Sequence, residues 1–288
     1  MKPAAFAYHR PDSIEEALRQ LAACGGSAKV LAGGQSLGPM MNMRLASPSD
    51  LIDLNDLTEL AYVRVAGDML EIGALTAHVK IATSPLVLER CPLLAAAAGT
   101  IGHYAIRQRG TLGGSLAHAD PAAQLPLVAV TLGAQIELVS SRATRVVAAV
   151  DFFQSVMATA LAPDEIIRCV RFPVKQPHEG ASYQIFNRRH GDYAIVAAAT
   201  SVVLDGGRVA SLRVGLCGVA PVPLSCADIV RPFVGAVADA SWAASVALAV
   251  SQAVNPEDDA RISAVYRKEL ALALVERALL RAVERARG

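Results

Sequence analysis

The sequence predicts a protein of mixed α-helical and β-strand structure, built from two or three compact units. The chain has 288 residues, 53% of them are hydrophobic, and helical and extended patterns alternate along it. This length exceeds one ordinary domain, and the apolar content is sufficient for sizeable cores. Charged residues make up 18% of the chain and the formal net charge is +1. This balance gives no indication of binding to nucleic acid or to a membrane surface.

The first unit is predicted to end near residue 56. A capping box at Ser13–Glu16 begins a helix with apolar residues at helical spacing, and Gly25 ends that helix. Residues 29–32 and 51–54 have the short apolar pattern of strands. The first of these strands leads directly into a double-glycine loop.

The second unit is predicted to alternate between strands and helices up to residue 172. We expect, in order, a strand at 70–74, a helix through 79–81, a helix from 86 to 98, a helix from about 121 to 130, and strands at 134–139, 145–150 and 166–172 around a short helix near 151–153. Residues 173–180 are rich in turn formers and mark a domain boundary.

The third unit is predicted to contain a β-hairpin followed by two helices. Residues 194–205 and 209–216 have strand patterns on either side of the turn at Gly206-Gly207. Amphipathic helical patterns cover about 241–253 and 263–286.

The cysteines and the N-terminus indicate a cytoplasmic, soluble protein. The five cysteines are scattered without a C-x-x-C pair, which argues against a zinc site, an iron–sulfur cluster or a disulfide framework in this chain. No metal site is therefore expected. The first ten residues lack the apolar core of a signal peptide, and no apolar run reaches the roughly 18 residues of a membrane span.

Two double-glycine loops, Ala32–Ser36 and Thr111–Ser115, carry most of the functional information. Glycine has no Cβ and accepts positive φ, so backbone amides in such loops can approach an anion. Ser36 and Ser115 each add a hydroxyl donor. Two loops of this kind predict a ligand with a diphosphate, bound from two sides. The sequence lacks G-x-G-x-x-G and G-x-x-x-x-G-K-[ST] motifs, which disfavours a Rossmann dinucleotide fold and a P-loop.

The residues around both loops resemble a known family. Residues 32–37 with 40–46 are similar to the first flavin motif in the medium subunit of molybdenum hydroxylases, the carbon monoxide dehydrogenase and xanthine dehydrogenase family. Residues 106–121 are similar to its second flavin motif, and residues 191–194 and 263–267 match in order and spacing. The similarity extends over essentially the whole chain.

The resemblance implies a fold, a cofactor and partners. The fold is α+β: a vanillyl-alcohol-oxidase-like (PCMH-type) FAD-binding domain at residues 1–176, with subdomains of about 1–56 and 57–176, and a C-terminal α/β domain at 177–288. Substrate is oxidised at a molybdenum cofactor in a large partner subunit, and a small partner subunit carries [2Fe–2S] clusters. The clusters pass electrons to FAD on this chain, which delivers them to an external acceptor. The expected assembly is a dimer of heterotrimers.

The resemblance also implies the residues of the site. Asp120 is expected to accept hydrogen bonds from ribityl or ribose hydroxyls. Tyr193 is expected to lie against the isoalloxazine and to be the catalytic residue. The expected cofactor-binding residues are Val30, Leu31, Ala32, Gly33, Gly34, Gln35, Ser36, Leu37, Ile101, Gly110, Thr111, Leu112, Gly113, Gly114, Ser115, His118, Asp120, Gln124 and Tyr193. FAD is expected to bind noncovalently, because the loops offer no His or Cys to bond it.

Several positions depart from the family pattern. Gln124 stands where the family often has Asp or Glu, and Ile185 stands near a position where Lys is frequent. The segment at 103–105 is similar to quinoline-type subunits, and the segment at 115–118 differs from the asparagine-rich stretch of the carbon monoxide enzymes. The segments at 103–105 and 115–118 favour an aromatic N-heterocycle as the substrate of the complex, whereas Gln124 and the missing Lys keep a flavin-free module open. The alternatives are a carbon monoxide dehydrogenase medium subunit and a flavin-free nucleotide-binding assembly module. Arg107 and Arg109 could pair with phosphate or anchor the second loop.

Overall fold

Three hydrophobic clusters organise residues 2–288, which the computed structural model describes. The smallest lies in the N-terminal region, the largest lies between a five-stranded sheet and the helices around it, and the third lies beneath the two long C-terminal helices. No helix in the described part of the chain is both long enough and apolar enough to cross a membrane.

The N-terminal region is a small parallel sheet with one long helix. Its elements are β1 (Ala7–His9), α1 (Ile14–Ala23), β2 (Ala28–Leu31), α2 (Leu37–Asn42) and β3 (Asp50–Asp53). The strand order is β1-β3-β2, and both pairings are parallel. Ser13 Oγ accepts a hydrogen bond from the Glu16 N–H at 3.2 Å, so the predicted helix start is confirmed. A 3₁₀ turn at Thr58–Leu60 leads to the next region.

The middle region is a five-stranded antiparallel sheet covered on one face by helices. Its elements are β4 (Val63–Ala66), β5 (Met69–Gly73), α3 (His78–Thr83), α4 (Pro85–Arg90), α5 (Pro92–Gly99), α6 (Tyr104–Arg109), α7 (Leu112–His118), α8 (Gln124–Leu132), β6 (Gln135–Val139), β7 (Thr144–Ala148), α9 (Ala149–Phe152), β8 (Phe153–Ser155), β9 (Ala158–Thr159) and β10 (Ile166–Pro173). The strand order in the sheet is β4-β5-β10-β6-β7, and the apolar face of the sheet packs in the largest cluster.

Two boundaries in this region correct the predictions. The helix expected from 86 to 98 is two helices, α4 and α5, separated at Cys91. Pro92 causes the break, because a proline disfavours helical backbone in the residue before it, and Cys91 has φ −149° and ψ 63°. The helix expected from about residue 121 begins only at Gln124.

The C-terminal region is a four-stranded antiparallel sheet with two long helices on one face. Its elements are β11 (Glu179–Phe186), β12 (Val196–Asp205), β13 (Arg208–Cys217), β14 (Leu224–Ser225), α10 (Ala227–Val230), a 3₁₀ turn (Arg231–Phe233), α11 (Ala240–Ala253) and α12 (Ala264–Arg287). The strand order in the sheet is β11-β12-β13-β14. The predicted hairpin is confirmed, and its turn has positive φ at both Gly206 and Gly207.

Candidate functional site

The first glycine loop presents a row of unpaired backbone amides. β2 ends at Leu31, and the chain turns through Gly34, which has φ +68°, into the short helix α2. The N–H groups of residues 33–37 find no acceptor among the residues that the structure describes, whereas the Gly38 N–H returns to the Gly34 carbonyl at 3.0 Å. Consecutive N–H groups with no partner form a concave donor array suited to an anion.

Side chains from the neighbouring strands hold the first loop in place. Asn55 Nδ2 donates to the Ala32 carbonyl at 2.9 Å and to Asp53 Oδ1 at 2.5 Å. The Tyr8 hydroxyl donates to the other oxygen of Asp53 at 2.6 Å. Gln35 Nε2 donates to the Gly33 carbonyl at 2.8 Å, so the side chain of Gln35 stabilises its own loop. The amide row is therefore fixed from β3 and β1 as well as from within the loop.

The second glycine loop differs, because its amides are already paired. Gly113 and Gly114 lie in the first turn of α7, whose N-cap is Thr111. The pairs are Leu112 N–H to Thr76 O at 3.0 Å, Gly113 N–H to Ala74 O at 2.8 Å, Gly114 N–H to Thr111 Oγ1 at 3.1 Å and Ser115 N–H to Thr111 O at 3.0 Å. The expectation that both loops offer free amides to an anion is corrected: the amide donors belong to the first loop.

The glycines of the two loops allow the loops to pack against each other and against β5. A Cβ on Gly33 would stand 1.9 Å from the carbonyl oxygen of Arg109, which lies two residues before the second loop. A Cβ on Gly113 would stand 2.6 Å from the Cβ of Ala74. The need for glycine at these two positions thus comes from close packing within the protein. Gly114 is more open, since its nearest contact would be Thr111 Oγ1 at 2.8 Å.

Tyr193, Asp120 and Ser36 come together although they are far apart in the sequence. The Tyr193 side chain is 50% exposed. Burial of its hydroxyl end and the negative charge of Asp120 raise the pKa of Tyr193, and a hydrogen-bonding contribution from Ser36 acts in the opposite direction. The site therefore joins the first loop, the end of α7 and the segment that precedes β12.

Asp120 keeps one oxygen free for a ligand. Its Oδ1 accepts from the Ala122 N–H at 2.8 Å, which fixes the carboxylate at the turn between α7 and α8. His118 is the last residue of α7 and is partly buried. Gln124 is the first residue of α8 and is only 3% exposed, and Ile101 packs against the largest cluster. Val30, Leu31, Ala32 and Leu37 are partly buried along β2 and the start of α2.

Arg107 anchors the protein's own backbone. Its Nη1 donates to the carbonyls of Ile101 and Gly102, both at 2.9 Å. The sequence left open whether Arg107 pairs with phosphate or anchors the protein. In the structure its guanidinium binds backbone carbonyl groups. Arg109 is exposed, and its backbone carbonyl is the group that packs against Gly33.

Tyr193 lies on a loop of the C-terminal region, and this loop contacts the middle region. Gly191 has φ +90°, and a Cβ there would lie 3.0 Å from the Gly102 carbonyl. The rings of His103 and His190 have centroids 6.4 Å apart. Arg267, in the last matched motif, donates to the carbonyls of Ile195 and Gly218 at 2.8 and 2.6 Å, which fixes the strand that follows Tyr193.

Sequence reasoning missed His78 and Asn55, which support the two loops. His78 is buried, and its Nε2 lies 2.9 Å from the Thr111 carbonyl oxygen. Burial lowers the pKa of His78 to about 4, so the ring is neutral at neutral pH. No local sequence signal marks either residue, since each acts on a segment more than 20 positions away.

Both halves of the chain match known families. Residues 4–175 match the family described as the FAD binding domain in molybdopterin dehydrogenase, and residues 181–282 match the CO dehydrogenase flavoprotein C-terminal domain. The 6-hydroxypseudooxynicotine dehydrogenase complex subunit alpha of Paenarthrobacter nicotinovorans is 39% identical over 288 residues, covering 100% of this chain and 97% of that protein.

Solved structures match over the same length. A chain of carbon monoxide dehydrogenase from Hydrogenophaga pseudoflava superposes with a TM-score of 0.96 at 36% identity, covering 99% of each chain. A chain of quinoline 2-oxidoreductase from Pseudomonas putida 86 superposes with a TM-score of 0.94 at 36% identity, again covering 99% of each chain.

Proposed function

Because the chain belongs to the family of FAD-binding subunits of molybdopterin dehydrogenases, we propose that it is the flavoprotein that carries electrons through a molybdenum hydroxylase. The expected family and the expected PCMH-type fold are confirmed. One observation carries the proposal for the site: the five consecutive unpaired amides at 33–37 include that of Ser36, whose side chain acts on Tyr193 together with Asp120.

The residues of the site fit the parts of FAD. The amide row suits the oxygens of a diphosphate, because those oxygens need several donors at once. The free oxygen of Asp120 can accept from the hydroxyls of a sugar or ribityl chain, and the half-exposed ring of Tyr193 can cover one face of a flat heterocycle. Bound FAD supplies the redox chemistry itself. The further residues proposed to line the site are Val30, Leu31, Ala32, Gly33, Gly34, Gln35, Leu37, Ile101, Gly110, Thr111, Leu112, Gly113, Gly114, Ser115, His118 and Gln124.

The protein acts within a larger complex. Its partners in the proposal are a small subunit with [2Fe–2S] clusters and a large subunit with the molybdenum cofactor, which together form an oxidoreductase. The finer arrangement we propose is a dimer of heterotrimers, with this chain divided into an FAD-binding domain at 1–176, of subdomains about 1–56 and 57–176, and a C-terminal domain at 177–288. We propose a cytoplasmic location for the complex.

We propose an aromatic N-heterocycle as the substrate of the complex. The segment at 103–105 supports this choice, and so does the similarity to the quinoline enzyme. The alternative, a carbon monoxide dehydrogenase, is supported by the TM-score of 0.96 to such an enzyme. Quinoline or carbon monoxide is added anaerobically to the oxidised complex to distinguish the two candidate substrates. The true substrate reduces the clusters and the flavin and so bleaches their absorption, whereas the other compound leaves it unchanged.

Tyr193 is the residue with which we test the electron-transfer role. In the assembled complex, Tyr193→Ala should leave reduction of the iron–sulfur clusters by substrate unchanged, because those centres lie on other chains. Transfer from flavin to the acceptor should slow, because the isoalloxazine loses its cover and becomes open to water. Tyr193→Phe should restore most of the rate, since it retains the ring.

Rapid-reaction spectroscopy follows the cluster and flavin bands separately in these variants. Tyr104→Ala is a suitable control, because Tyr104 is 70% exposed and is the first residue of α6. Suppose that in Tyr193→Ala substrate no longer reduces the clusters, while transfer from flavin to the acceptor is normal. This result would contradict both the role of Tyr193 and the assignment of the clusters and the flavin to different subunits.

A further inference from the structure

Residues 74–78, which we term the strap, run beside the second glycine loop and are bonded to it along their length. The strap follows β5 and ends at the first residue of α3. Four hydrogen bonds join the strap to residues 110–113: His78 N–H to Gly110 O at 2.8 Å, His78 Nε2 to Thr111 O at 2.9 Å, Leu112 N–H to Thr76 O at 3.0 Å and Gly113 N–H to Ala74 O at 2.8 Å. Only one of them uses a side chain, that of His78.

His78 binds two consecutive carbonyls, that of Gly110, which directly precedes the second loop, and that of Thr111, its first residue. The backbone N–H of His78 binds the Gly110 carbonyl, and the ring binds the Thr111 carbonyl. Because a carbonyl only accepts, the ring must be the Nε2–H tautomer. The imidazole fills the space that a side chain at Gly110 would need, since a Cβ there would lie 2.8 Å from both Cε1 and Nδ1.

The other ring nitrogen of His78, Nδ1, makes an unfavourable contribution to stability. His78 is 6% exposed, and Nδ1 is buried without a hydrogen-bond partner within residues 2–288. A buried acceptor without a partner is unfavourable. A phenyl or aliphatic side chain would avoid this cost, but it could not donate to the Thr111 carbonyl.

The surroundings of His78 disfavour a charged ring. Desolvation is the main cause of its lowered pKa, and the positive charge of Arg107 on α6 acts in the same direction. The other ionisable side chains on the packed helices are Lys80 on α3, Glu89 and Arg90 on α4, and Tyr104 and Arg109 on α6, whereas α5 and residues 110–113 carry none. Protonation would therefore place a positive charge in a desolvated position beside the loop, where the charge of Arg107 also opposes it.

We propose that His78 is a positioning residue for FAD, which shapes the second glycine loop before the cofactor binds and, through that loop, sets the amide row of the first. The route is a chain of contacts. The imidazole fixes the carbonyls of Gly110 and Thr111, and the carbonyl of the adjacent Arg109 packs against Gly33. A loop ordered in advance lowers the entropy cost of binding. This inference rests on the proposed function, in which FAD binds at these loops.

Two substitutions of His78 test the proposal on the full-length chain stripped of FAD. His78→Phe keeps the ring volume but removes the donor. It should weaken FAD binding by about 2- to 12-fold, the range for the loss of one hydrogen bond, because the Thr111 carbonyl keeps the Ser115 N–H as its other donor. His78→Gln can place its Nε2 donor near the same carbonyl and should recover affinity to within a few fold. Quenching of flavin fluorescence measures FAD affinity, and thermal unfolding of the apoprotein measures stability.

Ile81→Val is the matched control. Ile81 is fully buried on the same helix, so this variant should lower the melting temperature without changing FAD affinity. Affinity of the wild type should also fall as the pH is lowered to about 4 and below, where the His78 ring of the folded protein takes up a proton, and His78→Gln should show a weaker fall. Wild-type affinity in His78→Phe, with a loss of stability like that of Ile81→Val, would overturn the positioning role.

Two further outcomes remain decisive. If His78→Phe does not fold, His78→Gln decides alone. A near wild-type FAD affinity that does not change with pH supports the proposal, and an affinity that changes with pH as in the wild type refutes it. If the folded wild-type chain takes up no FAD at all, the proposed function fails first, and the inference about His78 fails with it.

Discussion

Replacing Gly33 with alanine would put a methyl group 1.9 Å from the Arg109 carbonyl oxygen and 2.6 Å from its carbonyl carbon. Ordinary contact begins at 3.4 Å, so the two glycine loops would have to separate by about 1.5 Å. Both colliding atoms belong to backbone and cannot rotate away. Overpacking of this kind costs about 1–3 kcal/mol.

The cost of the Gly33→Ala substitution should appear mainly in FAD binding. A separated first loop no longer directs its N–H groups at the place set by Asp120 and Tyr193, so we expect the affinity for FAD to fall by about 5- to 150-fold. Titration of the apoprotein with FAD, followed by quenching of flavin fluorescence, measures this change.

Gly38→Ala is the matched control for Gly33→Ala. Gly38 lies in α2, five residues further along, and a Cβ there would meet nothing within 4 Å. Alanine in a helix is favoured over glycine by about 1 kcal/mol, so Gly38→Ala should bind FAD as the wild type does and should be no less stable. Equal FAD affinity in the two variants would refute the interpretation that the first loop needs close packing of Gly33 against the Arg109 carbonyl in order to bind FAD.

Four further predictions concern the same site. Thr111→Val removes the cap on the Gly114 N–H and should lower the free energy of unfolding of the apoprotein by about 1 kcal/mol, measured by urea titration; an unchanged midpoint would count against the cap. Asp120→Ala should weaken FAD binding about tenfold or more, because a carboxylate that accepts from ligand hydroxyls is lost; unchanged affinity would place Asp120 outside the site. The pKa of His78 is about 4 in the folded protein against 6.5 for an ordinary histidine, so the contribution of His78 to stability should be constant above pH 6.5 and should fall by up to about 3 kcal/mol between pH 6.5 and 4, where only the unfolded chain takes up the proton; urea unfolding at a series of pH values checks this against His78→Gln, which should lose less. Acid precipitation should release yellow FAD into the supernatant, and colour that stays in the pellet would show a covalent bond.

Much of the fold could be predicted where local signals are strong. The capping box at Ser13 and Glu16 begins α1, because its hydrogen bond forms within one turn of the chain. The hairpin at Gly206-Gly207 also depends only on neighbouring residues, since both glycines adopt the positive φ that a tight turn needs. The first glycine loop follows a predicted strand in the structure, and its free amides agree with the sequence argument.

The second loop shows where local reasoning stops. Two adjacent glycines disfavour a helix, yet Gly113 and Gly114 form the first turn of α7. The reason is tertiary: the strap accepts the Gly113 N–H, and the Thr111 side chain accepts the Gly114 N–H. The role of His78 could not be found from the sequence either, because it is separated from Thr111 by 33 positions.

Binding of FAD by the purified full-length chain tests the central claim most directly. The protein, freed of nucleotide and confirmed to be folded, is titrated with FAD, and the visible absorption bands of the protein fraction are recorded after gel filtration. We expect saturation at one FAD per chain, with bands of oxidised flavin that shift on binding. A folded chain that leaves the column colourless after incubation with excess FAD would contradict the account and would support a flavin-free assembly module.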